Sequence, residues 1–152
     1  MADQDEVIDR LNDLVSINID SHRGWAEAAE NTNDPALQQF FTQMAEVRER
    51  NADELRELVR ELGSDPTDAG SVSATMHRWW IDAKQALTGD DAFSVLNEAE
   101  RGEDAIKDEY EEALTGLEGS GAEPIVRKQY ENVRRGHDEV KALRERYRNP
   151  RG

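Results

Sequence analysis

Four stretches of this sequence repeat apolar side chains at alternating steps of three and four, and no other feature narrows the fold as much. Along residues 3–30 the repeat runs Val7, Leu11, Leu14, Asn18, Ser21, Trp25 and Ala28. Along 35–62 it runs Phe41, Ala45, Arg48, Ala52, Leu55, Val59 and Leu62. Along 91–118 it is Leu96, Ala99, Glu103, Ile106, Tyr110, Ala113 and Leu117. Along 123–148 it is Val126, Tyr130, Val133, His137 and Val140, continued less regularly by Leu143 and Tyr147. Such a stripe lines one side of an α-helix and has to be buried against other helices. The alternating Val, Ile, Thr and Tyr runs that a sheet needs do not occur. The spacing predicts an all-α fold.

What separates the stretches predicts how they connect. "NTNDP" offers Asp34 as a helix cap and Pro35 as the first helical residue, and so short a loop implies an antiparallel pair. Gly63 is placed to follow the last turn of the second helix. The connection from Gly63 to Asp90 has 28 residues, too many for a hairpin, and carries a short helix at about 74–87. "EGSGAEP" then turns the chain between the third and fourth helices. The expectation is a single domain over residues 1–152: two antiparallel hairpins joined by a long crossover in a four-helix bundle. An echo across 85 residues (Leu11 and Leu96, Asn12 and Asn97, Trp25 and Tyr110, Ala28 and Ala113) is what two related hairpins would leave.

Charge limits the partners. With 34 acidic against 19 basic residues the formal net charge is −15, which disfavours nucleic acid and anionic membrane surfaces. Most of these charges suit solvated helix faces, and salt adaptation is compatible with them. The absence of cysteine excludes disulfides and thiolate-bound metal. The acidic start "MADQDEVIDR" lacks the features of a signal peptide, and no apolar run reaches membrane-span length, so the expectation is cytoplasmic.

The polar residues on the seams are the candidate site. Helix midpoints fall near 17, 48, 104 and 135, close to Asn18, Arg48, Glu103 and His137, and the midpoints of aligned helices share one layer. A carboxylate in a core must be neutralised, paired or bound to metal. Two readings follow. In the first, Arg48 is the counter-charge of Glu103, Asn18 and His137 satisfy the remaining hydrogen-bonding groups, and no cofactor is needed. In the second the layer holds iron or manganese, as bundles do with a Glu from each of two helices and Glu-x-x-His from the other two. Glu103, His137 and His22, one turn beyond Asn18, are the ligands that reading would use. The remaining ligand places read Asn18, Arg48-x-x-Asn51 and Arg134-x-x-His137, so most anionic ligands are missing and a fixed positive charge stands among them.

"LNDLVSINIDSHRGWAEAAE", "MHRWWIDAKQAL", "ERGEDAIKDEY" and "HDEVKALRERY" together resemble a bacterial family in the ferritin-like superfamily that is catalogued as a domain of unknown function. The resemblance spans nearly the whole chain, with "HRWW" and "ERGED" its most specific blocks. It implies a ferritin-like four-helix bundle with a crossover between helices two and three, and brings no established activity. Relatives in the wider superfamily store iron, reduce peroxide or oxidise substrates at a di-iron centre, and some ferritin-like families act in stress responses, a role that extends here by analogy only.

His77, Arg78, Trp79 and Trp80 form the other candidate, either docking the crossover on the bundle beside Met76 and Ile81 or forming a partner patch. No nucleophile–base pair, phosphate-binding glycine loop or motif-spaced zinc site occurs. The sequence therefore predicts a metal-independent bundle that acts through protein contacts, as a homo-oligomer or with another protein, and it carries no motif that supports an enzyme. The alternative is an iron- or manganese-handling redox protein with an atypical site.

Overall fold

A computed structural model describes residues 3–67 and 92–148. Four helices make up the described chain: α1, Gln4–Asn31; α2, Pro35–Glu61; α3, Ala92–Leu117; and α4, Glu123–Arg148. Each reaches roughly 40 Å at about 1.5 Å per residue, so all four can run the length of one bundle.

Local chemistry sets the helix ends. Asp34 Oδ1 accepts from the backbone N–H of Ala36 (2.9 Å) and of Leu37 (3.3 Å), satisfying donors that the first turn of α2 leaves without partners. Tyr147 O–H donates to the other oxygen of Asp34 at 2.8 Å, tying the end of α4 to the start of α2. That bond and the two backbone donors hold the Asp34 carboxyl below its ordinary range, against a smaller opposing effect of burial. At the far end of α2, Gly63 takes φ 83°, a left-handed conformation that lets the chain turn as Gly63 N–H closes on the Arg60 carbonyl at 2.9 Å.

The chain leaves α2 beside the beginning of α1. Gln4 Nε2 donates to the Leu62 carbonyl (2.9 Å), and Thr67 N–H donates to Asn12 Oδ1 (3.0 Å). Arg10 on α1 lies 3.7 Å from Glu112, near the end of α3, so α3 begins at the opposite end of the bundle. The end of α2 and the start of α3 therefore lie at opposite ends of the bundle. The short helix expected at 74–87 and the group His77, Arg78, Trp79 and Trp80 lie outside the described residues.

The core is apolar along most of its height. Leu11, Leu14, Phe41, Leu55, Leu96, Ile106, Leu117, Val126, Val133 and Val140 are fully buried. Trp25 packs against Phe41 at 5.4 Å between ring centroids and against the edge of Phe40 at 6.0 Å, closing one end. Each large apolar side chain so buried contributes about 1.5–3 kcal/mol, which is how a chain with few hydrophobic residues sustains a fold. Packing is uneven between neighbours: α1 lies closely on α2, α3 on α4, and α1 on α3, whereas α2 and α4 scarcely touch. No helix among the described residues is long and apolar enough to cross a membrane.

Candidate functional site

Midway along the bundle the apolar stacking is interrupted by charge. Arg48 and Glu103 meet there almost wholly shielded, each about 1% exposed. The contact is two-pronged: Nη2 donates to Oε1 at 2.7 Å and Nη1 to Oε2 at 2.9 Å. Ser21 Oγ accepts a further bond from Nη1 at 3.0 Å. Both carboxylate oxygens of Glu103 are therefore engaged, while Arg48 Nε has no partner among the described residues. A planar guanidinium facing a planar carboxylate is the geometry in which this pairing is strongest.

The room for this pair comes from a residue with no side chain. A Cβ placed on Gly136 would lie 2.8 Å from Arg48 Nη2, 3.2 Å from Glu103 Oε1 and 3.1 Å from the Met44 methyl. The inward positions of α4 are accordingly Val126, Gln129, Val133, Gly136 and Val140. This corrects two positions on that seam. His137 does not join the polar layer; it sits beside it, part-exposed, with Nε2 2.5 Å from Asp104 Oδ1 and Nδ1 3.5 Å from Asp138 Oδ1. Tyr130 likewise turns outward and donates to Glu111 Oε2 at 2.5 Å. Adjacent helical residues point about 100° apart, and the guanidinium requires the narrower of the two at this height.

Asn18 is also displaced from the expected layer. It belongs to a second, uncharged polar layer nearer the start of α1, where Asn18 Nδ2 donates to the Leu14 carbonyl and to Tyr110 Oη, each at 2.8 Å. Tyr110 O–H donates to Gln129 Oε1 at 2.7 Å. Gln129 Nε2 donates to Glu54 Oε1 at 2.7 Å and to the Asn51 carbonyl at 3.3 Å, which carries the chain of bonds to the surface. Burial pushes the Tyr110 phenol well above its ordinary value, the bond from Asn18 opposing this only in part. His22 lies in neither layer. Its Nδ1 donates to the Ala45 carbonyl at 2.9 Å, and Nε2 lies 3.3 Å from Glu49 Oε2.

Of the four residues expected to converge, the structure brings Arg48 and Glu103 together and separates Asn18 and His137 from them. Ser21, Gly136, Tyr110 and Gln129 complete the two layers. Ser21 and Tyr110 stood on the seams with visible polar atoms; Gly136 signalled itself only as a glycine inside a helix, a costly choice without a packing reason.

The donor set can be tested against a metal. A di-iron or di-manganese centre needs several carboxylates and imidazoles converging on one cavity. Glu103 is the only carboxylate in the layer among the described residues; its oxygens hold a guanidinium, and the other side chains that meet there, Ser21 against Arg48 and Met44 beside Gly136, are uncharged. His137 engages exposed carboxylates, and His22 is committed to the Ala45 carbonyl and Glu49. The described residues do not fit such a centre.

The helix order and core of the described residues define this molecule as a ferritin-like four-helix bundle. A solved mutant of Dps1 from Mycobacterium smegmatis superimposes with a TM-score of 0.73 at 16% identity, over 94% of this chain and 99% of that one. At that identity the likeness speaks for the fold alone. Residues 6–116 match the family described as a domain of unknown function, DUF2383, and the chain belongs to that family. The match covers α1 to α3 and stops short of α4, so "HDEVKALRERY" lies outside it. No curated protein matches the chain.

Proposed function

We propose that this chain is a metal-independent member of the ferritin-like class that works through protein contacts. The observation carrying this reading is the two-pronged pair between Arg48 and Glu103. A dication at half-height would have to displace the guanidinium, leave it buried without a counter-charge, and accept one carboxylate in return. Each consequence costs several kcal/mol, because buried charge is tolerated only when paired. With its interior committed to an ion pair, what the molecule can offer a partner is its helical surface.

The test is elemental analysis of protein purified from iron- and manganese-replete cells under reducing conditions. Metal should be far below one ion per chain, and a chelator should leave the melting temperature unchanged. Near-stoichiometric iron or manganese that disappears in Glu103→Gln or His137→Ala would overturn the reading.

A further inference from the structure

We propose that two copies of this chain associate through the open seam between α2 and α4, about a two-fold axis running across the helices. This deepens the reading of the chain as a contact protein and names its partner.

The seam is a groove of about 440 Å³ between α2 and α4, with Val47 and Gly136 in its lining. Three sets of contacts give the register. Gln129 reaches Asn51 and Glu54, Gly136 faces Arg48 and Met44, and Tyr147 bonds Asp34. As numbers rise along α4 they fall along α2, so the two helices are antiparallel.

That direction sorts the groove's exposed charges. Glu46 precedes Arg50 on α2, whereas Arg135 precedes Glu139 on α4. Because the helices oppose each other, Glu46 and Glu139 lie towards one end, and Arg50 and Arg135 towards the other. A chain with net charge −15 thus carries, on this one face, a balanced and polarised patch. Among the described residues the side chains of Glu46, Arg50 and Glu139 have no ion pair or hydrogen bond, and Arg135 donates only to Asn132.

Such a patch is its own complement under one symmetry operation. A two-fold axis across the helices lays the acidic end of one copy on the basic end of the other. Glu46 then faces Arg50 of the second copy, and Arg135 faces Glu139, each contact occurring twice. An axis parallel to the helices would set Glu46 against Glu139 and Arg50 against Arg135, so the charges select between the two arrangements. The half-buried Val47, among these charges in the groove lining, is an apolar side chain on which the second copy can close.

Sedimentation equilibrium of the full chain at moderate salt tests this, with circular dichroism and thermal melting confirming that each variant is folded. The wild type should dimerise at micromolar concentration and weaken as salt screens the pairs. Arg50→Glu, which sets acid against acid, should cost about tenfold or more in dimer affinity while leaving helicity unchanged. Combining Glu46→Arg with Arg50→Glu re-forms the pair in the swapped sense and should restore the dimer. A wild type that stays monomeric, a dimer indifferent to Arg50→Glu, or a folded swap variant that fails to recover would each overturn the interface. None of these outcomes touches the metal analysis, which tests metal independence separately.

Discussion

The two polar layers solve the same problem by different means. In the charged layer, Arg48 and Glu103 are matched almost exclusively to each other, inside a space that Gly136 leaves open. In the neutral layer, Asn18, Tyr110 and Gln129 form a relay in which each group hands on one bond until Glu54 is reached at the surface. A buried charge tolerates neither a missing partner nor a crowded one, since its desolvation is offset only by close, well-directed contact. Each layer leaves one buried polar atom without a partner among the described residues, Arg48 Nε in the charged one and Asn18 Oδ1 in the neutral one, so the difference lies in how the bonds that are made are shared. Exclusivity makes the charged layer brittle, and sharing makes the neutral one forgiving.

The largest expected effect breaks the charged layer directly. Glu103→Gln keeps the shape but strips Arg48 of its counter-charge, and should cost about 3–5 kcal/mol, the range for removing one member of a buried pair. The change in denaturant midpoint at constant slope measures it; a nearly neutral result would mean that the pair is not held as an ion pair in solution. Next comes Gly136→Ala. Its methyl group must push against a guanidinium that Glu103 holds in place, and the better helix propensity of alanine recovers only part of that cost. A net loss of about 1–2 kcal/mol is expected. The loss should shrink in the Glu103→Gln background, where the guanidinium can move aside, and a double-mutant cycle reads that coupling. If the two losses simply add, the glycine has some other reason for its place.

The smallest effect is expected in the neutral layer. Tyr110→Phe leaves Gln129 Oε1 without its donor and Asn18 Nδ2 with one bond fewer, for about 0.5–1.5 kcal/mol. The same phenol should govern part of the alkaline limit. Its folded-state value is raised above the ordinary 10.0, so the unfolded chain releases this proton first and stability falls as pH rises beyond that point. Tyr130 and Tyr147 are raised as well, Tyr130 first by its bond to Glu111 and Tyr147 first by burial, so both chains should show some alkaline loss. The wild type should nevertheless fall more steeply than Tyr110→Phe. Equal slopes in the two urea series above pH 10 would remove Tyr110 from the explanation.

How far the site could be read from the chain depended on the residue. Arg48 and Glu103 were conspicuous because each is a charge on a seam that is otherwise mostly apolar, and burial forces such residues to find one another. Asp34 and Pro35 announced the start of α2 for an equally local reason, capping and a preset backbone angle. His137 misled because the apolar stripe of a helix is broad enough to admit either of two neighbours, and only the opposing helix selects between them. Gly136 was hidden by having no side chain to read. Asn18 falls outside the charged layer that its helix midpoint predicts, because helix midpoints locate a residue only to within about a turn, and two layers a turn or two apart blur into one at that precision.

By itself the sequence determined that there would be four long helices, with apolar stripes to bury and two charges among them, since period, caps and breakers act over a few neighbouring residues. Tertiary structure alone decided which of two adjacent residues on α4 faces inward, how one polar layer became two, and that α2 and α4 would stand apart with acids at one end and bases at the other. Those outcomes depend on the volume and direction of side chains on different helices, which meet only when the helices pack.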